Sequence, residues 1–243
     1  MFPAITRRLD ELAIATACRS VRPSCDIVQS KEVVKHPDYF ADPVSQTNLE
    51  FYAGNMFRFP SPVPSPWEEN NFVFGQLHTA HRSPSAAGSG PAVLLLHGWN
   101  GEQGYRLLFP LLARRFRQLG LTVAMIELPY HGTRKPKSGP LRNFLSGDIA
   151  HMMEATRQAI ADIRAMIDWL HTHGYGPLAI WGVSLGAWLG GLVACVEKRL
   201  QAAVLLTPVP KLEEAIENLA FCRHIRASME GRDISAAELN LTA

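Results

Sequence analysis

The pentapeptide Gly182-Val183-Ser184-Leu185-Gly186 is the part of this 243-residue sequence best suited to chemistry. It follows a short apolar run, 178–181, and precedes a helix-like stretch, 187–199. A G-x-S-x-G between a strand and a helix has the form of a nucleophile elbow. The chain must reverse so tightly that the serine takes a strained conformation, and the residues two before and two after it approach each other's backbone. Only the smallest residues fit there, hence Gly182 and Gly186. The Ser184 hydroxyl is then projected at the top of a sheet, and the first N–H groups of the following helix point at any oxyanion that develops beside it.

A second stretch supports the first. The apolar run 92–96 ends in His97-Gly98-Trp99-Asn100-Gly101, and a loop in that position supplies the other backbone donor to an oxyanion hole. The N–H groups of Trp99 and Leu185 are the expected pair, with Gly98 as the loop glycine. Losing one such donor costs about a hundredfold to a thousandfold in rate. His97 precedes the turn glycine and reads as a local hydrogen-bonding residue. His131, within Glu127-Leu128-Pro129-Tyr130-His131-Gly132-Thr133-Arg134, comes before the serine in the chain and does not read as its base.

Holding these residues requires a particular scaffold. From residue 91 onward, short apolar runs alternate with longer segments of helical period, which predicts beta-alpha-beta units and a mostly parallel sheet flanked by helices. Strands are expected at 92–96, 121–128, 178–181 and 202–206, with an earlier one at 71–79. Continuous apolar runs such as 92–96 suit strands buried on both faces. Tyr105, Leu108, Leu111, Leu112, Phe116 and Leu119 mark one helix, stopped at Gly120. Ile149, Met152, Thr156, Ile160, Ile163, Ile167 and Leu170 mark a long amphipathic one, capped by Ser146 or Asp148. The first twenty residues read as a surface helix and 23–67 as loop-like. Within that loop Pro60, Pro62, Pro64 and Pro66 favour an extended wrap. The expected division is an N-terminal segment, 1–69, packing on an α/β core, 70–243, whose last part is a helical tail from about 211.

Composition narrows the function. The chain carries 24 Lys+Arg against 22 Asp+Glu, a net charge of +2, too balanced for a nucleic-acid binder. The cluster Arg134, Lys135, Lys137 reads as a solvated loop. Cys18, Cys25, Cys195 and Cys222 form no C-x-x-C pair, and two of them lie in apolar surroundings and read as small core residues. His171 and His173 lack companion ligands, so neither a metal nor an organic cofactor is expected. Acidic residues interrupt the first apolar stretch before a signal sequence could form, which favours a cytoplasmic chain. Residues 174–196 are 23 in a row without charge, the length of a membrane span. They also contain Gly174, Pro177 and several further glycines, and strand, elbow and buried helix explain them better.

HGWNG, ELPYHGTRKP and GVSLG, in that order and spacing, resemble the alpha/beta-hydrolase fold from about residue 70 to 210. They also resemble the alpha/beta-hydrolase domain-containing protein 18 branch, where a strand-end proline, an aromatic and R-K-P-K follow in the same way. The resemblance implies a serine hydrolase of carboxylic esters or related acyl substrates, with an acyl-enzyme at Ser184, a histidine base and an orienting acid. In such folds acid and histidine follow the serine. The 59 residues after Ser184 hold one histidine, His224, in a helix-like segment. Their acids are Glu197, Glu213, Glu214, Glu217, Glu230, Asp233 and Glu238, and none ends a strand-like run. The expectation is therefore a hydrolase truncated after its sixth strand, lacking its triad acid and histidine, with 202–206 left as an apolar sheet edge. The rival is a non-catalytic hydrolase-fold module that binds a small molecule or a protein. Acyl transfer to an acceptor other than water stays open.

Overall fold

The computed structural model describes residues 40, 47–80, 90–138, 142–146, 148–208 and 218. The expected N-terminal helix, Cys18, Cys25, Cys222, residues 83–89 of the loop expected at 83–91, the tail from about 211 save residue 218, and His224 lie outside the described residues. The strands are β1 (Glu50–Ala53), β2 (Met56–Pro60), β3 (Phe72–His78), β4 (Gly90–Leu96), β5 (Thr122–Ile126), β6 (Tyr175–Val183) and β7 (Leu200–Leu206). The helices are α1 (Glu102–Gln118), α2 (Ile149–Thr172) and α3 (Leu185–Val196). One seven-stranded sheet takes the order β1-β2-β3-β5-β4-β6-β7. From β5 to β7 the pairings are parallel, and β1, β2 and β3 join them as an antiparallel meander on the edge of β5.

This is the expected α/β architecture, with an addition at its front. The loop-like reading of 23–67 misses the hairpin of β1 and β2. The burial of β2 alternates, with Phe57 and Phe59 inward and Met56 and Pro60 exposed. A strand of only five residues offers too few repeats of that period to stand out in sequence.

Central position dictates composition. Every residue of β5 and the last five of β4 are buried, because helices cover the sheet on both faces. One face packs Val93, Leu95, Val123 and Met125 against Tyr105, Phe109 and Ala113 of α1. The other packs Leu94, Leu96, Ala124 and Ile126 against α2 and α3. Two helix readings need correction. Leu108, Leu111 and Leu119 are exposed, so the buried face of α1 is rotated onto Phe109 and Ala113. The helix α2 is buried over far more than one stripe, since the sheet, α3 and the 61–71 segment enclose it. Asp148 caps it, accepting from the His151 N–H at 3.0 Å. At the sheet edge β7 is largely exposed, including Val204 and Leu206. Cys195 is exposed rather than a core residue.

The solvated-loop reading fails for Arg134, which is fully buried. Its Nη1 pairs with Asp162 Oδ2 at 2.8 Å and donates to the Glu127 carbonyl at 2.9 Å. Nη2 and Nε donate to the Asn70 carbonyl at 2.8 and 3.3 Å. Ser61 completes the site by donating to Asp162 Oδ1 at 2.6 Å. Burial pushes the Asp162 carboxyl up, and Arg134 and Ser61 pull against it. The physical reason is donor geometry: a planar fork serves several fixed acceptors at once. Lys137 stays exposed.

Removing one partner of such a pair strands a buried charge. Arg134→Met should lower the free energy of unfolding by about 3–5 kcal/mol, and Arg134→Met with Asp162→Leu by less, as read from urea denaturation. Equal losses in the two variants would show that the ion pair is not what the site needs.

Candidate active site

The elbow forms where the sequence places it. Ser184 joins β6 directly to α3, with φ 51° and ψ −114°, a conformation that non-glycine residues avoid and that costs about 1–3 kcal/mol unless the surroundings impose it. They do. A Cβ on Gly182 would lie 2.4 Å from the Gly186 carbonyl oxygen, and one on Gly186 would lie 2.3 Å from the Leu96 carbonyl oxygen. Backbone therefore touches backbone at both glycines, locking the first turn of α3 onto the end of β4. A Cβ on Gly98 would lie 3.4 Å from the Ser184 Cβ and 4.0 Å from its Oγ, so the 97–101 loop borders the serine. A third support was not legible in sequence: the Ser184 N–H donates to the Leu206 carbonyl at 2.8 Å, at the end of β7.

The remaining expected residues surround this point. Leu185 is buried as the first residue of α3. Its N–H precedes the first bond of the helix, which runs from the Trp188 N–H to the Ser184 carbonyl at 2.9 Å. Trp99 follows Gly98 and is partly buried against the main core. An acyl carbonyl set between these backbones would meet the positive end of α3.

The nearby histidines are engaged elsewhere. His97 is buried, with Nδ1 donating to the Gly98 carbonyl at 2.8 Å and Nε2 accepting from the Leu128 N–H at 3.1 Å. Both nitrogens hold backbone, which ties the ends of β4 and β5 together. His131 packs edge-on to it, ring centroids 5.0 Å apart, and donates from Nδ1 to the Pro129 carbonyl at 2.8 Å. Burial above all, then the neighbouring His97, holds its pKa down to about 3, so it is a poor proton acceptor at neutral pH. Glu127 accepts from the Thr133 N–H at 2.8 Å, and burial pushes its carboxyl up. At the far end of α3, Glu197 is engaged by Arg199 at 2.7 Å. Among the described residues no side chain hydrogen-bonds the Ser184 hydroxyl, and no group of three or more His, Cys, Asp or Glu is placed to hold a metal. Residues 174–196 resolve into β6, the elbow and α3, and no helix among the described residues is long and apolar enough to cross a membrane.

The family model described as alpha/beta hydrolase domain containing 18 matches residues 29–227. Two uncharacterized proteins of Mycobacterium tuberculosis, MT2702 of strain CDC 1551 / Oshkosh and Rv2627c of strain ATCC 25618 / H37Rv, are each 33% identical over 108 residues. That match is 44% of this chain, which spans only 26% of the length of either relative. Among solved structures, the acetyl xylan esterase from Paenibacillus sp. R4 superposes with a TM-score of 0.58 at 16% identity, over 90% of this chain and 72% of that one. This likeness establishes the fold.

Two outcomes test the geometry. Gly186→Ala should destabilise the fold by about 1–3 kcal/mol or more, because the new methyl meets backbone rather than a movable side chain. A melting temperature unchanged from the parent would refute the close approach. The second concerns acid. Unfolded His131 takes up a proton near 6.5 but folded His131 only near 3, so its contribution is complete above 6.5 and is lost as the pH falls toward 3. The melting temperature should drop through that window, and drop less in His131→Asn. Parallel profiles for the two proteins would remove His131 as the cause.

Proposed function

The chain belongs to the alpha/beta hydrolase domain containing 18 family, and from that premise we propose that it is a serine hydrolase of carboxylic esters or related acyl compounds. The observation that carries this reading is the backbone of Ser184, held at positive φ between β6 and α3 with Gly98 against its side chain. Strain of this kind is retained where surrounding structure over-determines it, and it exposes a nucleophile at the head of a helix. In the proposed reaction Ser184 Oγ bonds to the acyl carbon, its proton passes to a base, and the carbonyl oxygen takes up negative charge. The N–H groups of Leu185 and Trp99 stabilise that charge. Collapse of the intermediate expels the alcohol with a proton and leaves an acyl-enzyme, which water hydrolyses. The substrate is a small acyl compound, and the reading calls for no cofactor.

The proposal includes a proton relay that is incomplete among the described residues. His97 uses both nitrogens on backbone, His131 is a weak base, and Glu197 is tied to Arg199. The same facts favour the second reading, a hydrolase-fold module that binds without turnover. Backbone donors and the positive end of α3 favour charge on an acyl oxygen even without a relay, so slow acylation is the expected behaviour.

A fluorophosphonate probe should label the protein slowly and at Ser184, with no labelling of Ser184→Ala, and p-nitrophenyl acetate turnover should stay near background. Rapid ester turnover that disappears in Ser184→Ala would overturn the incomplete relay. Absence of labelling at Ser184 would overturn the nucleophile and leave the binding module.

A further inference from the structure

Four leucines of α1 and its C-cap lie open to water: Leu107 is 68% exposed, Leu108 65%, Leu111 61% and Leu119 74%. Tyr105, Phe109 and Ala113 take the opposite side of the helix and fill the core. Leu107, Leu111, Arg114 and Gln118 follow one another at i, i+4, i+7 and i+11, which sets them in one line along the outward side. Leu108 and Arg115 flank that line. A single exposed leucine needs no explanation, but four on one helix mark an interaction surface.

The charge of the helix is as uneven as its exposure. Arg106, Arg114, Arg115 and Arg117 stand against one acid, Glu102 in the first turn, which leaves a net +3 on 17 residues. The whole chain carries only +2. Arg106, Arg114 and Arg115 are exposed. The sheet beside the helix extends the apolar area. Trp181 packs edge-on against Phe109 of α1, ring centroids 5.8 Å apart, and Val204 stands next to Trp181 in register. Val204 and Leu206, 46% and 41% exposed, therefore lie on the α1 side of the sheet.

Leucines set among arginines on the outside of a helix fit one class of partner. An acidic protein groove would have to strip water from the guanidiniums as it covered the leucines. Two copies packed through this side would oppose arginine to arginine. The interface of an anionic bilayer does neither. Leucines enter the acyl boundary, arginine stems lie along it, and the guanidiniums stay hydrated while they reach phosphate.

We infer that α1 docks flat on an anionic phospholipid bilayer, with Leu107, Leu108 and Leu111 in the acyl boundary and Arg114 and Arg115 on lipid phosphates. Such a helix lies on the membrane and does not span it. The inference does not rest on the acyl chemistry proposed above, in which none of these side chains takes part.

Co-sedimentation of the full chain with vesicles tests this. Vesicles of equal parts phosphatidylglycerol and phosphatidylcholine should bind at least about tenfold more tightly than pure phosphatidylcholine. The preference should disappear in about 1 M salt, where charges are screened within about 3 Å. Arg114→Gln with Arg115→Gln should weaken binding to the mixed vesicles by about tenfold to thirtyfold, and Leu107→Gln with Leu111→Gln by at least about tenfold. All four positions are exposed, so both double variants should melt with the parent by circular dichroism. Ser184→Ala should bind as the parent does. Equal binding to the two kinds of vesicle, or an affinity unchanged in either double variant, would overturn the inference. A parent that ignores vesicles but forms a dimer in light scattering, dissociated by Leu107→Gln with Leu111→Gln, would give the leucines to a second copy and overturn it equally.

Discussion

One buried guanidinium ties together three parts of the chain that lie far apart in sequence. Arg134 reaches the end of β5 through the Glu127 carbonyl, the 68–71 turn through the Asn70 carbonyl, and the middle of α2 through Asp162. Asn70 extends the arrangement, accepting from the Tyr130 N–H and donating to Gln158 at 2.6 Å. Placing a charge in an interior is expensive, and a well-packed apolar group would serve stability as well or better. What an apolar group would not supply is direction. Each N–H of the fork accepts one geometry, so the loop after β5, the Pro-rich segment and α2 are fixed relative to one another.

The serine corner is built by the opposite means. There, position follows from what is absent: Gly182 and Gly186 have no side chains, and backbone closes on backbone between β6, α3 and β4. His97 then joins the tips of β4 and β5 through two backbone bonds, and the Leu206 carbonyl anchors the serine from the opposite side. Three neighbouring strand ends thus contribute to holding one residue in a conformation it would leave if free. Rigidity of that kind is what electrostatic stabilisation of a developing charge requires, because donors already in place need no reorganisation.

Most of the scaffold was legible in sequence because its signals are long or sharp. The buried runs of β4 and β5, the 24-residue α2 and the elbow with its two glycines each carry many consistent residues. Ser184 and its glycines could be placed because steric exclusion is a property of residue type alone. Three things escaped. The β1–β2 hairpin is too short for its alternation to stand out. Arg134 carries the same letter whether solvated or buried, and only the distant acceptors at 61, 70 and 162 decide which. The orientation of α1 was missed for a related reason: its leucines repeat on both flanks, and the packing of the sheet selects which are covered.

The sheet order also constrains how the chain assembles. The contacts among β1, β2 and β3 are local: two residues separate β1 from β2, and the Pro-rich segment with its short helical turn, eleven residues, separates β2 from β3. Among the described residues they pair with the parallel strands through the β3–β5 ladder, where Gly75 stands opposite Ile126. These residues are about fifty positions apart, and β4 and the whole of α1 lie between them. The meander thus joins the rest of the sheet through a contact that spans β4 and α1. The β4–β6 ladder, where Ala92 stands opposite Leu178, closes a longer loop still and carries α2 inside it, so of the strand pairings it demands the most loop-closure entropy.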